Sequence, residues 1–320
     1  TYRDFELVVV DDGSTDGTAD RVRAYADRIP GLRIIPGAAL PSGWAGKPWA
    51  CWQAAARARG EWLLFLDADV VPAPDLLGAL LENAEARRLD LLTLMPLMRL
   101  GSFAERLALP AFMSLLYALY PLDRVSDPAS PIAFANGQCL LVRRAAYDAL
   151  DGHRAVRDSI LEDTHLGQRA QAAGLRLEAL AAPDLVAVRM YTGWRSLAEG
   201  LSKNALAGFR SGGSRSWFVA ARQTLIAFLA YALVATGWWA WQPGDRGGSL
   251  LQAALVLYGL ALAIVTLVTY AWLARRRYRL GFGWGMLYPL GLAIYFGLAG
   301  IGLVRLASGR GVVWKGRVFR

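Results

Sequence analysis

Short apolar runs alternate with longer amphipathic segments through the first part of the chain. The runs at 6–10, 32–35, 62–66, 91–95 and 139–143 have the length of buried strands. Helical spacing and turn residues predict helices at 15–29, 49–59 and 75–87, and another that begins at Arg144. Strands that alternate with helices predict an α/β fold with a mostly parallel sheet and flanking helices.

The hydropathy changes beyond residue 215, where charged residues become scarce. Three apolar segments follow, at 217–241, 250–274 and 282–306. Each has about 25 residues, whereas a helix needs roughly 20 to cross a bilayer. We therefore predict a polar domain at 1–210 with interfacial helices, followed by a transmembrane helical region at 211–320. The third segment contains Pro289, so it either crosses the membrane or re-enters and returns.

Composition and charge favour a membrane over nucleic acid as the partner. Hydrophobic residues make up 55% of the chain and the formal net charge is +9. The basic residues gather where apolar segments meet water, as at Arg275–Arg277, and form no stripe interleaved with aromatics in the polar part. Cys51 and Cys139 have no metal-ligand spacing and fit a reducing compartment. We predict a multi-pass cell-membrane protein whose polar domain is cytoplasmic.

Two acidic clusters follow predicted strands, where ligands bind in open α/β sheets. Asp67 and Asp69 stand one residue apart after the run 62–66, and such a pair can hold magnesium or manganese together with two phosphates. Asp11 and Asp12 follow the first run, where a carboxylate can accept hydrogen bonds from a ribose or a base. The alternatives are a solvated turn for the first cluster and a helix cap for the second.

Two further positions carry candidate chemistry. Lys47 stands in a Gly- and Pro-rich loop ahead of a helix and can meet a phosphate, although it can equally be an ordinary surface lysine. In the group Glu162-Asp163, Asp163 is a candidate base for taking a proton from an attacking hydroxyl. His165 is either an orienting group for the acceptor or the diphosphate, or a structural histidine.

Together these motifs, in this order, resemble glycosyltransferase family 2, whose members have the GT-A fold. The matching residues are Asp11-Asp12-Gly13-Ser14, Gly46-Lys47, Asp67-Ala68-Asp69, Asn136-Gly137-Gln138 and Glu162-Asp163. The ending Trp314-Lys315-Gly316-Arg317 also resembles membrane members that glycosylate lipids, such as hopanoid-associated and carotenoid glycosyltransferases.

The resemblance implies inverting, metal-dependent transfer from a nucleotide-diphosphate sugar to a lipid-like acceptor hydroxyl at the membrane. Asp12 or Asp11 would then contact the nucleoside, and Asp67 and Lys47 would hold the nucleotide diphosphate. Asp69, with Asp67, would ligate the metal, and Asp163, beside Glu162, would act as base. The acceptor side would be formed by Asn136, Gly137 and Gln138. From their own chemistry we add His165 and Trp194 to it, although the helix that begins at Trp194 can equally be a plain surface anchor.

Two departures from the family pattern keep alternatives open. The family fold begins with a strand that this chain does not include, so the nucleotide pocket is expected to lack one wall unless the protein extends further. The stretch from Arg189 to Arg195 also lacks the Q-x-x-R-W signature of processive members. The alternatives are a processive polysaccharide synthase and a non-catalytic, membrane-anchored nucleotide-binding scaffold.

Overall fold

A computed structural model describes residues 2–29, 31–239, 249–309, 312–314 and 317–319. The chain divides into two compact units. The first comprises residues 1–97 and 120–188, and the second comprises residues 98–119 and 189–320. Residues 98–119 and 189–210, which the sequence assigned to the polar domain, therefore group with the second unit. The functional boundary at residue 210 stays a prediction.

The strands are short, and most lie in the first unit. They are β1 Leu7–Asp11, β2 Leu32–Pro36, β3 Trp62–Leu66, β4 Val70–Pro72, β5 Leu91–Met95, β6 Leu97–Met98, β7 Cys139–Arg143, β8 Leu177–Ala181, β9 Val186–Val188, β10 Val312–Trp314 and β11 Arg317–Phe319. The helices are α1 Thr18–Arg23, α2 Gly46–Arg57, α3 Leu76–Ala86, α4 Phe103–Leu119, α5 Leu122–Val125, α6 Arg144–Ala149, α7 Glu162–Ala172, α8 Trp194–Trp239, α9 Ser249–Tyr278 and α10 Tyr288–Ala307, with 3-10 turns at Gly152–Val156 and Phe282–Leu287.

The predicted class, α/β with flanking helices and a C-terminal set of apolar helices, is confirmed, but the strand pairing is mixed rather than mostly parallel. β1 pairs with β2 in parallel, and a four-stranded sheet has the order β3-β7-β5-β8. Within that sheet only β5 and β8 are parallel, because β7 runs against both of its neighbours. The connection from β5 to β7 leaves and re-enters the sheet at the same end, which makes the pair antiparallel.

The core of the first unit forms where α3 covers β5 and β7. Leu76, Leu80 and Ala84 repeat every four residues along α3, so they lie on one face of the helix, and each is at most 2% exposed. They pack with Leu92 of β5 and Leu141 of β7. This packing orders the sheet and therefore fixes the positions at which its strands end.

Three helical segments of the second unit are long and apolar enough to cross a membrane, at Gly213–Trp239, Leu250–Tyr278 and Phe282–Ala307. The prediction of three apolar segments is confirmed, although Trp241 lies outside the described residues. The first segment begins at a break in α8, where Gly213 has φ 51°. In the third segment Pro289 lies in the first turn of α10, where a proline is tolerated, and α10 then runs unbroken to Ala307.

Within the second unit, α4 begins with a capping box that is also an ion-pair site. Ser102 Oγ accepts the Glu105 N–H at 3.3 Å, and Glu105 Oε1 accepts the Ser102 N–H at 3.1 Å. The Glu105 side chain is fully buried and also accepts hydrogen bonds from Arg189 Nε and Nη2, each at 3.2 Å. Burial opposes ionisation of Glu105, but the Arg189, Ser102 and Gly101 donors outweigh it and lower the carboxyl pKa.

Candidate active site

The pairing of β3 with β7 brings two of the predicted motifs together. Leu66, the last residue of β3, lies opposite Cys139, the first residue of β7. Asp67 therefore leaves β3 beside the turn that precedes β7, which contains Asn136, Gly137 and Gln138. Antiparallel pairing alone accounts for this convergence, because the carboxyl end of one strand meets the amino end of the other.

Lys47 joins the acidic groups of two separate elements. It lies in the first turn of α2, and its Nζ is 2.7 Å from Asp67 Oδ1 and 2.9 Å from Glu162 Oε1. The Glu162 side chain is 6% exposed and that of Lys47 is 42% exposed, so the lysine is the more accessible partner. Withdrawal from water opposes the charge on Lys47, but Glu162, Asp67 and Asp163 outweigh it and hold the lysine pKa well above its usual range.

Asp163 is positioned by backbone donors at the start of α7. Its Oδ2 accepts the Gly137 N–H at 2.6 Å, and its Oδ1 accepts the Thr164 N–H at 2.7 Å. Shielding from water and the neighbouring Glu162 carboxylate raise the pKa of Asp163, and Lys47 with the two N–H donors only partly opposes this. A carboxylate with a raised pKa is a stronger base than an ordinary aspartate.

Gly137 lies close to both Lys47 and Asp163. A Cβ at this position would lie 2.8 Å from Lys47 Nζ and 3.1 Å from Asp163 Oδ2. Any side chain would therefore have to displace the lysine ammonium or the carboxylate. The glycine in the Asn-Gly-Gln motif leaves the space in which Lys47 and Asp163 approach each other.

The two polar neighbours of Gly137 form a buried network. Asn136 Nδ2 donates to the Leu94 carbonyl and to Gln138 Oε1, each at 3.2 Å. The Asn136 N–H donates to Thr93 Oγ1 at 2.9 Å. Asn136 and Gln138 are each 9% exposed, so their side chains hold the shape of the turn. Their predicted place on the acceptor side stays a prediction.

The remaining acidic candidates occupy more open positions. Asp11 Oδ1 accepts the Ser14 N–H at 3.1 Å, and hydrogen bonding to Ser14 lowers the Asp11 pKa. Asp12 follows it and is exposed. Asp69 is exposed in the turn between β3 and β4, two residues beyond Asp67.

His165 and Trp194 complete the predicted set. His165 Nδ1 lies 2.7 Å from Ser159 Oγ, which also accepts the Leu161 N–H at 3.0 Å, so this histidine braces the loop that leads into α7. Trp194, the first residue of α8, is 53% exposed and belongs to the second unit.

The sequence did not indicate that Cys51 accompanies the charged cluster. Cys51 lies one helical turn after Lys47 on α2, on the same face. Burial, together with the nearby carboxylates, raises the thiol pKa to about 12, so the side chain is a neutral, inert thiol. The spacing of four residues between Lys47 and Cys51, one turn of a helix, could have indicated that the two side chains lie together.

The chemistry of the donor set is compatible with a divalent ion shared with a ligand. In the described ranges no three His, Cys, Asp or Glu side chains group as a complete metal site. Magnesium that is bound with phosphates needs only one or two carboxylates from the protein. Asp67 and the exposed Asp69 at the end of β3 meet that requirement.

The first part of the chain matches a known protein family. Residues 1–150 match the family model described as glycosyl transferase family 2, which confirms the resemblance seen in the sequence over this part of the chain. A 4,4'-diaponeurosporenoate glycosyltransferase of Staphylococcus aureus is 27% identical over 219 residues, covering 68% of this chain and 56% of the relative. An N-acetylglucosaminyl-diphospho-decaprenol L-rhamnosyltransferase of Mycobacterium tuberculosis is 28% identical over 207 residues, covering 54% of this chain and 63% of the relative.

This chain thus spans less than two thirds of the length of these two relatives. Among solved structures, glucosyl-3-phosphoglycerate synthase of Mycobacterium tuberculosis, in complex with Mn2+, uridine-diphosphate-glucose and phosphoglyceric acid, is similar at 21% identity and a TM-score of 0.42. The match covers 66% of this chain and 68% of that one.

Proposed function

Residues 1–150 form a glycosyltransferase family 2 domain, and from that premise we propose that this chain transfers a sugar from a nucleotide-diphosphate donor to the hydroxyl of a lipid-like acceptor. The observation that carries the proposal is the cluster in which Lys47 bridges Asp67 and Glu162 beside Asp163. It combines a cation for the diphosphate with a carboxylate of raised pKa. The names of the two relatives, a carotenoid-acid and a decaprenol-linked glycosyltransferase, support an acceptor of this class.

In the proposed reaction the acceptor oxygen attacks the anomeric carbon while its proton passes to the Asp163 carboxylate. The bond between that carbon and the phosphate oxygen breaks, and its electron pair leaves with the nucleoside diphosphate. Attack opposite to the leaving group inverts the anomeric configuration. The Gly137 and Thr164 N–H groups hold the carboxylate in position during this step.

Lys47 has a second role at the donor diphosphate in this proposal. Its ammonium is at present shared by Asp67 and Glu162, and it is the more accessible member of that group. A donor diphosphate that binds Lys47 takes the place of one of these carboxylates and forms a charge-assisted hydrogen bond with the ammonium. Asp67 then faces the nucleotide, and the exposed loop of Asp11 and Asp12 contacts the nucleoside.

Asp69, with Asp67, would hold a magnesium or manganese ion. When bound, such an ion supplies positive charge that offsets the charge on the departing diphosphate. Glu162 keeps Lys47 in position, and Asn136, Gln138, His165 and Trp194 are assigned to the acceptor side. We further propose that the three apolar helices anchor the chain in the cell membrane with the catalytic domain on the cytoplasmic side.

The test separates donor binding from transfer. In the full-length protein, Asp69→Asn should remove metal-dependent binding of the nucleotide diphosphate, whereas Asp163→Asn should bind it within about threefold of wild type and lose transfer. Asp158→Asn, an exposed acid in the preceding loop, is the matched control and should retain both. Full transfer by both site variants would refute the proposal.

The mass of the product distinguishes the remaining alternatives. Addition of one sugar supports single transfer, and a long heterogeneous ladder indicates a processive synthase. Binding without transfer by the wild-type full-length protein indicates a nucleotide-binding scaffold.

A further inference from the structure

A cavity of about 460 Å³ lies inside the second unit. It is bounded by α4, by α8 at Gln223 and Ile226, by the C-terminal half of α9, and by the 3-10 turn before α10. Its volume is within the range of pockets that hold a small molecule. Most of its wall is apolar, with contributions from Leu107, Pro110, Ile226, Leu262, Val265 and Leu273.

Among the described residues that line this wall, two arginines are the charged ones, and none is Asp or Glu. The Arg277 guanidinium lies 4.2 Å from the centre of the Tyr117 ring, and that of Arg106 lies 5.8 Å from the centre of the Trp284 ring. Arg106 Nε also donates to the Leu100 carbonyl at 3.2 Å. Ring faces and a carbonyl stabilise a cation without neutralising it, so the cavity keeps a positive potential.

The charge and the apolar wall are arranged along α9. Arg277 lies in the last turn of that helix, among the basic residues Arg275–Arg277 that follow its apolar run. Leu262 lines the same cavity fifteen residues earlier, which corresponds to about 22 Å along a helix. The cavity therefore extends from the polar end of α9 towards the middle of its apolar run. A ligand that matches this distribution has an anionic end and a long apolar part.

We propose that this cavity binds one amphiphile with an anionic head group, with its apolar chain between α4, α8 and α9 and its head at Arg277 and Arg106. We further propose that this amphiphile is the acceptor, and this identification rests on the proposed function. The head group can be a carboxylate or a phosphate, because arginine pairs with both.

Photolabelling tests the cavity without any nucleotide sugar. The full-length protein in phosphatidylcholine nanodiscs is irradiated with a diazirine analogue of hexadecanoic acid, and the labelled peptides are mapped. We expect labels within residues 106–118 and 262–284 that are displaced by hexadecanoate and by hexadecyl phosphate. Hexadecanol and added phosphatidylcholine should displace them at least about tenfold less well, because a charged hydrogen bond is worth that factor or more.

The arginine variants decide whether the cationic wall selects the ligand. Arg106→Gln and Arg277→Gln should each reduce labelling by about tenfold. The matched control is Arg276→Gln, since Arg276 is exposed on the same turn, stacks on Trp272 and does not line the cavity. Unchanged thermal unfolding of all three variants confirms that they fold. Equal displacement by hexadecanol, or equal labelling of the variants and wild type, would overturn the proposal.

A transfer assay with 2-hydroxyhexadecanoate, whose hydroxyl lies beside the anionic head group, as acceptor connects the cavity to catalysis. Arg277→Gln should raise the acceptor KM about tenfold and leave the donor KM unchanged. An unchanged acceptor KM overturns the identification of the cavity ligand as the acceptor. Failure of the proposed function would look different, because the wild-type protein would then be labelled in the cavity but would transfer no sugar.

Discussion

Two acidic motifs follow strands in the first unit, and they differ in what surrounds them. Asp11 at the end of β1 is bonded to Ser14, three residues further along, and its neighbours are exposed. Asp67 at the end of β3 is bonded to Lys47, and that lysine also contacts the buried Glu162 of α7. The first motif is a local loop, whereas the second is held by three distant parts of the chain.

Under the proposed function, this difference separates the residues of the chemical step from the residues that recognise the donor. A local, solvated loop can contact a ligand, but its charges are screened by water and interact weakly with the rest of the protein. A charge cluster that is partly shielded from water has stronger interactions and perturbed pKa values, as catalytic groups require. We therefore expect substitutions in the cluster around Lys47 to affect turnover and folding stability together, and substitutions in the Asp11 loop to affect donor affinity alone.

The largest expected effect is that of Asp163→Asn, which should reduce kcat by about 10²- to 10⁴-fold because it removes the carboxylate that we propose as the general base. The same change should raise the melting temperature at neutral pH. The folded-state pKa of Asp163 is raised, so the fold favours the protonated carboxyl and loses stability as pH rises through that pKa. Asparagine is neutral and removes this loss, and we expect the gain to outweigh the one backbone N–H that its amide nitrogen cannot accept.

Calorimetry over a pH series checks the sign of this effect. The gain in melting temperature should be present at pH 7 and should diminish at a pH below that at which an unfolded aspartate titrates. In wild type, the acid limb of kcat/KM should lie at higher pH than that for an ordinary aspartate. A variant that is less stable than wild type at pH 7 would show that the Asp163 charge stabilises the cluster.

Lys47→Met should have the next largest effect, about a 100-fold loss in kcat/KM for the donor, since a charged contact to the diphosphate is lost. It should also destabilise the fold by about 1–3 kcal/mol, because Glu162 and Asp67 would lose their counter-ion. This loss of stability should be smaller than that for a fully buried ion pair, because the Lys47 side chain is 42% exposed. Steady-state kinetics with the donor varied measures the first effect, and thermal unfolding measures the second.

The matched change is Arg59→Met, which removes an exposed cation just beyond the end of α2. It should leave donor binding unchanged and alter stability by less than about 0.5 kcal/mol. Equal effects from the two substitutions would mean that loss of net charge, rather than the ion pairs of Lys47, determines the result.

The sequence predicted those elements whose bounds are set by residues close together in the chain. The strands at 62–66, 91–95 and 139–143 have the predicted bounds, because each is a continuous apolar run ended by polar residues or by a turn. The three membrane-length helices were predicted for the same reason. The helix predicted at 15–29 is shorter, at Thr18–Arg23, because it begins only after Gly17, at φ 77°, and residues 24–28 form turns.

Features that depend on long-range pairing were not predicted. The direction of β7 in the central sheet depends on the path of the chain between β5 and β7. The hydrophobic pattern of neither strand records that path. The sequence indicated Lys47, Asp67 and Glu162 as separate motifs, but their shared ion pairs require α2, β3 and α7 to meet. The cavity lined by Arg106 and Arg277 likewise joins helices that are distant in sequence.

Gly137→Ala is expected to have a moderate effect, about a tenfold loss of kcat with near-normal folding. The new Cβ would lie 2.8 Å from Lys47 Nζ, the end of a flexible side chain that can move by a few tenths of an ångström. The substitution should therefore displace the side chains of Lys47 and Asp163 more than the backbone. Gly78→Ala, on α3 with open space at its Cβ position, is the control and should leave kcat unchanged. A normal kcat for Gly137→Ala would show that the spacing of the two charges is not critical.

Asp11→Asn should have the smallest effect and gives the sharpest test of the comparison between the two motifs. The amide oxygen of asparagine can still accept the Ser14 N–H, so the loop keeps its shape and little folding stability is lost. We expect the donor KM to rise about threefold, because a hydrogen bond to the nucleoside is weakened, while kcat and the melting temperature stay within error. Steady-state kinetics with the donor varied at saturating acceptor measures both constants. If kcat falls as much as in Asp163→Asn, the solvated loop takes part in turnover, and the separation of recognition from chemistry between these two strand ends is wrong.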